Sequence, residues 1–305
     1  MGLEPLRGAV VAVGSDEGSD GTVVREEVEF FGWPEQMLGC RHGPAVGAAA
    51  GVLVCLGAPF GTTLDQGRAA RLGRRLARSG VIVQRFQPRG SPPSDGDPTV
   101  VGFASLVDDA DSALDLLRDR TGVERVGFVG VRLGALVAAR LARRESNAPV
   151  ALWEPVGDPL AMVAQAARAR ASTRPIDLFD TALCAELIGG AVGDLVDELG
   201  ERSGDLLVVQ TGPGDALVPA YESLVERCRG NRVRVDACCH PCDAEREGTV
   251  VPGGPPDALV DTTASWLGTR LVPAAAPPRS SPPGEPGNGT EAGRDGQPSE
   301  AGPPA

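Results

Sequence analysis

The sequence predicts an α/β fold built on a doubly wound, mostly parallel sheet. Short runs rich in valine and isoleucine alternate with longer stretches of helical periodicity, which is the pattern of βαβ units. Of the 305 residues, 42% are apolar and 4% are aromatic, which is enough for a real core. The composition becomes rich in proline and glycine after residue 272, so about 270 residues remain for one α/β domain.

The strands are predicted from β-branched runs that are bounded by polar or glycine-containing turns. Residues 23–31 and an extended piece near 36–41 are expected to open the sheet as antiparallel strands. His42, in the sequence Arg41-His42-Gly43-Pro44, is then expected to be a surface turn residue. The other strands are predicted over residues 52–56, 81–86, 125–129, 150–153, 206–210 and 232–236.

The helices are predicted where apolar residues recur every three or four positions. One amphipathic helix is expected from the apolar residues Leu106, Ala110, Leu114 and Leu117, since aspartates cover its other faces. Residues 133–142 are apolar almost all round and predict the most buried helix. Two further helices are predicted over residues 64–79 and 257–268.

Two segments interrupt or follow this alternation. Residues 157–204 contain helical stretches, at 160–171 and 183–199, but no strand pattern, and they predict a helical cap inserted into a domain that spans residues 1–272. Residues 273–305 contain no apolar residue larger than alanine. Because such a segment cannot bury enough surface to offset its ordering entropy, it predicts a disordered tail.

The charged residues exclude several kinds of function. The chain has 29 basic and 41 acidic residues, a net charge of −12, and every basic residue is arginine. Without lysine, a Schiff base, a P-loop lysine and a pyridoxal phosphate anchor are all impossible. The negative charge and the few aromatic residues argue against a nucleic acid or an anionic membrane as partner. No signal or membrane segment is found, so a cytoplasmic location is expected.

The cysteine-rich sequence Cys238-Cys239-His240-Pro241-Cys242 is the single local cluster of soft metal ligands. A redox pair or half of a zinc site is one interpretation of its C-x-x-C spacing. No second pair of ligands follows at zinc-site spacing, so we expect reduced thiols, no metal and no cofactor.

The predicted strand 125–129 leads through Gly130-Val131-Arg132-Leu133-Gly134 into the buried helix. A strand, a sharp turn and a helix are the setting in which G-x-S-x-G presents a nucleophilic serine, with glycines where larger side chains would clash. Arg132 takes the place of that serine. Because a guanidinium stays protonated, it cannot attack a substrate.

At these residues the chain resembles the α/β-hydrolase superfamily, and most of all the hydrolase-like proteins encoded beside exosortase systems, whose motif also tends to read G-x-R-L-G-A. Matching segments include Pro59-Phe60-Gly61, Leu152-Trp153-Glu154-Pro155-Val156 and the loop at 211–219. The resemblance implies an α/β-hydrolase fold, with Asp215 in the position of the acid and His240 in that of the base. It also implies a binding site formed by Arg132, Leu133 and the loop 58–63, for which Ala58 and Phe60 are candidates.

The function is therefore left with three alternatives. In the first, Arg132 forms a structural ion pair with Asp215 or Glu154. In the second, Arg132 and the N-terminus of the helix together bind an anion. The third alternative is esterase-like hydrolysis without serine, through His240 and Asp215, whereas Ser94 is explained by turn chemistry. The expected function is that of an α/β-hydrolase-fold protein without its serine nucleophile, which binds a small acyl or anionic molecule, or a protein partner.

Overall fold

One nine-stranded sheet organises the part of the chain that the computed structural model describes, namely residues 10–17, 22–57, 63–145, 147–160, 182–190, 192–200, 204–212, 214–230, 233–241 and 257–272. In chain order the strands are β1 (Val11–Glu17), β2 (Val23–Phe31), β3 (Met37–Pro44), β4 (Ala50–Cys55), β5 (Val81–Phe86), β6 (Val126–Val131), β7 (Val150–Trp153), β8 (Asp205–Gly212) and β9 (Arg234–Pro241).

The strand order in the sheet is β1-β2-β3-β5-β4-β6-β7-β8-β9. Strands β1, β2 and β3 pair antiparallel, as β3 does with β5, and all later neighbours pair parallel. The predicted doubly wound, mostly parallel sheet is therefore confirmed. The carboxyl ends of the parallel strands meet at one edge, where such sheets usually bind their ligands.

Helices cover both faces of the sheet. The described helices are α1 (Thr63–Arg78), α2 (Phe103–Thr121), α3 (Gly134–Ala142), α4 (Ala182–Ile188), α5 (Leu195–Leu199), α6 (Pro219–Gly230) and α7 (Ala258–Leu271). Buried residues of α1 and α7 share one core with β4, β6 and β7. Those of α2, α3 and α6 form the core of the opposite face. Helix α3 is buried at every residue except Arg140, as its composition predicts.

The segment between β7 and β8 contains α4 and α5 in place of one helix over 183–199. Gly189 and Gly190 follow α4 directly, and Gly190 has a φ of 70°, a conformation that ends a helix readily. The backbone N–H of Phe103 donates to the carboxylate of Glu186 on α4 at 2.6 Å. This contact attaches the segment between β7 and β8 to the start of α2.

Three differences from the predicted elements matter for the site. Strand β9 runs on to Pro241, because its ladder with β8 continues through the pair His240 and Thr211, so His240 lies within the strand. His42 is not a surface turn residue, since it belongs to β3 and is fully buried. Strand β1 and helix α6 were not predicted.

Several predictions concern residues outside the described ranges: the helix at 160–171 beyond its first residue, the candidates Ala58 and Phe60 with most of their loop, Cys242, and the tail at 273–305. Among the helices of the described residues, none has the length and apolar character needed to cross a membrane.

Candidate functional site

A sharp bend between β6 and α3 places Arg132 at the carboxyl edge of the sheet. Strand β6 ends at Val131, and Arg132 follows with a φ of 51°, which is unfavourable for a residue with a side chain. The backbone N–H of Arg132 donates to the carbonyl of Trp153 at 2.9 Å, and its own carbonyl accepts from Ala135 at 3.1 Å. These two hydrogen bonds attach the bend to strand β7 on one side and to helix α3 on the other.

Two glycines make this bend possible. A Cβ atom on Gly130 would lie 2.5 Å from the Cα of Ala135, and one on Gly134 would overlap the carbonyl group of Cys55. Both obstacles are backbone atoms, which cannot rotate away as a side chain can. The spacing of glycines two residues on either side of Arg132 is therefore a steric requirement of this turn.

The guanidinium of Arg132 lies between two carboxylates. Its Nε donates to Oδ2 of Asp65 at 3.3 Å, and its Nη2 is 2.9 Å from Oε2 of Glu154. Asp65 is buried in the first turn of α1 and Glu154 directly follows β7, while the Arg132 side chain remains 34% exposed. Of the two partners expected from the sequence, Glu154 is observed and Asp215 is not. The geometry favours the ion-pair interpretation of Arg132 over anion capture, because its charge is already balanced.

Two hydroxyl groups extend this cluster towards β8 and α6. Thr211, near the end of β8, donates its hydroxyl to Oε1 of Glu154. Burial and the nearby carboxylate of Glu154 raise the pKa of Tyr221 to about 12, against a smaller opposite effect of Arg132. The Tyr221 phenol is therefore a protonated donor at neutral pH.

The structure does not bring Asp215 and His240 together. Asp215 is exposed in the turn after β8, and the preceding residue, Gly214, accepts a hydrogen bond from the thiol of Cys239 at 3.2 Å. Since side chains alternate along a strand, Cys239 and His240 lie on opposite faces of β9. His240 is half-buried, with Nε2 3.6 Å from the sulfur of Cys238. Within the described ranges, no hydrogen bond or ion pair joins Asp215 to His240.

Of the comparisons with known proteins, the one with solved structures finds similar molecules. No family model matches the chain, and no curated protein sequence does. Solved structures do: an esterase of Pyrococcus furiosus superposes with a TM-score of 0.56 at 17% identity, over 86% of this chain and 90% of the esterase. A serine hydrolase homologue of Coxiella burnetii gives 0.52 at 15% identity, over 80% and 97% of the two chains. Est1E of Butyrivibrio proteoclasticus, with ferulic acid bound, gives 0.57 at 13% identity, over 79% and 96%.

The chain has the α/β-hydrolase fold. In this fold the remaining candidate, Leu133, follows Arg132 and is fully buried, so any contribution that it makes to binding comes from its backbone. The hydroxyl of Ser94 makes two hydrogen bonds to the backbone: it donates to the carbonyl of Gln87 at 2.7 Å and accepts from the N–H of Leu38 at 2.9 Å. This agrees with its predicted role in a turn.

A separate group of metal-ligand side chains lies on β2 and β3 of the α/β-hydrolase sheet. Of the residues that the structure describes, only Glu26, Cys40 and His42 bring three such ligand atoms close together. Arg85 donates from Nε to Nε2 of His42 at 2.9 Å and from Nη2 to the sulfur of Cys40 at 3.2 Å. A guanidinium thus stands where a cation would bind, and a metal ion would have to displace it.

Sequence reasoning found Arg132 and Glu154 but missed Asp65, Thr211 and Tyr221. Thr211 lies near the end of β8 and Glu154 directly follows β7, whereas Asp65 lies in the first turn of α1. A search for polar residues just after each predicted strand finds Thr211, but it does not reach Asp65. Nothing in the local sequence marks Tyr221.

Proposed function

We propose that this chain is an α/β-hydrolase-fold protein in which Arg132 replaces the serine nucleophile, and that it binds a small acyl compound without forming a serine ester. The observation that carries the proposal is the place of Arg132: the strained residue of the turn between β6 and α3, flanked by the two glycines that the turn requires. A nucleophilic serine occupies this position in hydrolases of the fold. A permanently protonated guanidinium cannot replace it in covalent catalysis.

The two carboxylates beside Arg132 support a neutral acyl ligand. Arg132 uses Nε on Asp65 and Nη2 on Glu154, and a guanidinium has five N–H groups. The remaining ones can donate to a carbonyl oxygen, and the side chain is accessible enough to do so. A free anion is less favoured, because Asp65 and Glu154 already balance the charge of Arg132.

Esterase-like hydrolysis through His240 and Asp215 is the second candidate. One observation favours it: His240 is paired in register with Thr211, whose hydroxyl contacts Glu154, so a histidine lies on the strand next to the Arg132 cluster. The turn that carries Asp215 contacts Cys239, which lies on the other face of β9 from His240, and this candidate requires Asp215 and His240 to meet when substrate binds.

We expect no acylation of the protein by serine-directed reagents. A fluorophosphonate probe should label no serine, and p-nitrophenyl butyrate should be hydrolysed no faster than by the protein with His240→Ala and Asp215→Asn. Mass spectrometry of the probe-treated protein and release of p-nitrophenol measure the two outcomes. A serine adduct would contradict the proposal, and turnover that both substitutions abolish would establish the second candidate.

We expect butyramide, an acyl compound that resists hydrolysis, to bind at Arg132. Loss of a hydrogen bond to a charged group costs about 1.5–3 kcal/mol, so Arg132→Gln should weaken binding by roughly tenfold or more. Calorimetric titration measures the affinity. Arg75→Gln, a change at an exposed arginine of α1 with a long 3.6 Å ion pair, is the control and should leave binding intact. Equal affinity of the parent and Arg132→Gln would reject the proposed site.

A further inference from the structure

An arginine-lined pocket lies at the edge of the sheet opposite Arg132. It is formed where β2 and β5 begin and β3 ends, beside the last turn of α2. Strand β5 runs parallel to β4, and β4 to β6, so the start of β5 is at the far end of the sheet from the carboxyl end of β6. The pocket is therefore separate from the candidate acyl site. We call it the arginine pocket, and its charged lining residues are Arg25, Glu27, Arg41 and Arg120.

One of these arginines is fixed at the base of the pocket. Arg41 is almost fully buried and donates from Nη2 to Glu27 at 2.6 Å and from Nη1 to Glu29 at 2.8 Å. Glu29 is itself buried, and its Oε2 also accepts hydrogen bonds from Nε and Nη2 of Arg120. Three guanidinium groups thus stand against two carboxylates, which leaves an excess of positive charge in a chain whose net charge is −12.

The other two arginines have donors to spare. Arg25 is exposed, and its side chain makes no hydrogen bond or ion pair with the described residues. Arg120 is 44% exposed, and its two bonds to Glu29 leave Nη1 unused. Side chains of this type, held at a pocket with free N–H groups, are suited to bind oxyanions in a bidentate way.

The size of the pocket limits the ligand. Its volume is about 200 Å³, several times the roughly 30 Å³ share of one water molecule. Pockets for drug-sized ligands begin near 300 Å³. The pocket therefore suits a small ion or the charged end of a small metabolite.

We propose that the arginine pocket binds a small oxyanion with two negative charges, either a phosphate group or a dicarboxylate. Arg25 and Arg120 hold the anion at the rim, while Arg41 supplies the positive potential beneath it. Glu27 limits the affinity, because it places a carboxylate on the same lining. This site is independent of the proposed acyl site, and each can fail without the other.

The test is a calorimetric titration of the full chain with inorganic phosphate and, separately, with succinate, at constant ionic strength. We expect at least one of them to bind, and Arg25→Gln to weaken binding about tenfold. Binding of phosphate alone would identify a phosphate site, and binding of both a general site for dianions. Arg75→Gln removes the same charge from another exposed arginine and should bind as the parent does.

A second variant is expected to raise the affinity for the anion. Glu27→Gln keeps an oxygen acceptor for Arg41 but removes the negative charge, and we expect it to bind the anion several-fold more tightly. Because the side chain of Arg25 makes no hydrogen bond or ion pair with the described residues, Arg25→Gln should unfold at the parent's temperature, which separates lost binding from lost structure. The proposal is overturned if neither anion binds, or if Arg25→Gln and Glu27→Gln both bind as the parent does.

Discussion

Replacing Gly134 with alanine is expected to destabilise the fold by about 3 kcal/mol, which is a large part of the roughly 5–15 kcal/mol that stabilises a typical domain. The new Cβ would overlap the carbonyl group of Cys55 and approach the backbone of Leu56 to 2.9 Å. Neither atom belongs to a flexible side chain, so β4 or α3 has to move. Urea unfolding of the purified variant, or its loss from the soluble fraction, measures the effect.

Gly268→Ala is the matched control for this prediction. Gly268 lies within α7, and a Cβ atom there meets nothing within 4 Å. Alanine is favoured over glycine inside a helix by about 0.5–1 kcal/mol, so this variant should be slightly more stable than the parent. If Gly134→Ala unfolds at the same urea concentration as the parent, then the bend around Arg132 is not as tightly packed as described.

The protein is expected to lose stability between pH 7 and pH 5 because of His42. Burial, together with the guanidinium groups of Arg85 and Arg74, lowers the pKa of His42 to about 2, from about 6.5 in an unfolded chain. The unfolded state therefore binds more protons below pH 6.5. The stability due to neutral His42 is complete above that pH and declines towards pH 2, by about 1.4 kcal/mol per unit.

The expected loss is about 2 kcal/mol at pH 5 relative to pH 7, and urea unfolding at the two pH values measures it. Nε2 of His42 accepts from Arg85, which leaves the proton on Nδ1, 3.6 Å from a carboxylate oxygen of Glu26. The charged or titratable groups around the ring are Glu26 on β2, Cys40 on β3, Arg74 on α1 and Arg85 on β5.

His42→Gln should lower stability at pH 7 but flatten its decline towards pH 5, since glutamine does not titrate. His240→Gln makes the same change at the other histidine of the chain and should leave the decline as steep as in the parent. The assignment to His42 fails if His42→Gln declines as steeply as the parent.

Local sequence patterns were sufficient to predict most strands of the sheet. Strands β2, β5 and β7 were predicted residue for residue, because each is a continuous β-branched or alternating run between turn residues. Helix α6 was missed because its buried residues are few: Leu224, Val225 and Cys228 within twelve residues. With Tyr221 they recur at i, i+3, i+4 and i+7, the spacing of one helix face, so the helical pattern is present but spans only two turns.

His42 shows how a neighbouring strand overrides a local signal. Gly43 and Pro44 after it are typical turn residues, but the ladder between β2 and β3 continues as far as the pair Val24 and Pro44. A Cβ atom on Gly73 of α1 would lie 2.5 Å from the imidazole of His42, so a small residue elsewhere in the chain makes room for the ring. Such a fit depends on register and packing, which the local sequence does not contain.

The candidate site was predictable to the same limited extent. The bend around Arg132 is a property of five consecutive residues, and the motif indicates it. The partners of Arg132 and Glu154 are distant in sequence: Asp65 is 67 positions from Arg132, and Thr211 is 57 positions from Glu154. Only the order and direction of the strands bring them together.

Arg132 joins three segments that are distant in sequence: the start of α1 through Asp65, the end of β6, which it directly follows, and the residue after β7 through Glu154. In hydrolases with a serine nucleophile, the corresponding residue has to stay free to react, and stability is often lost to keep it so. Here the side chain of Arg132 links the three segments through its ion pairs with Asp65 and Glu154. These segments should therefore open together as a single cooperative unit in hydrogen exchange, and not one loop at a time.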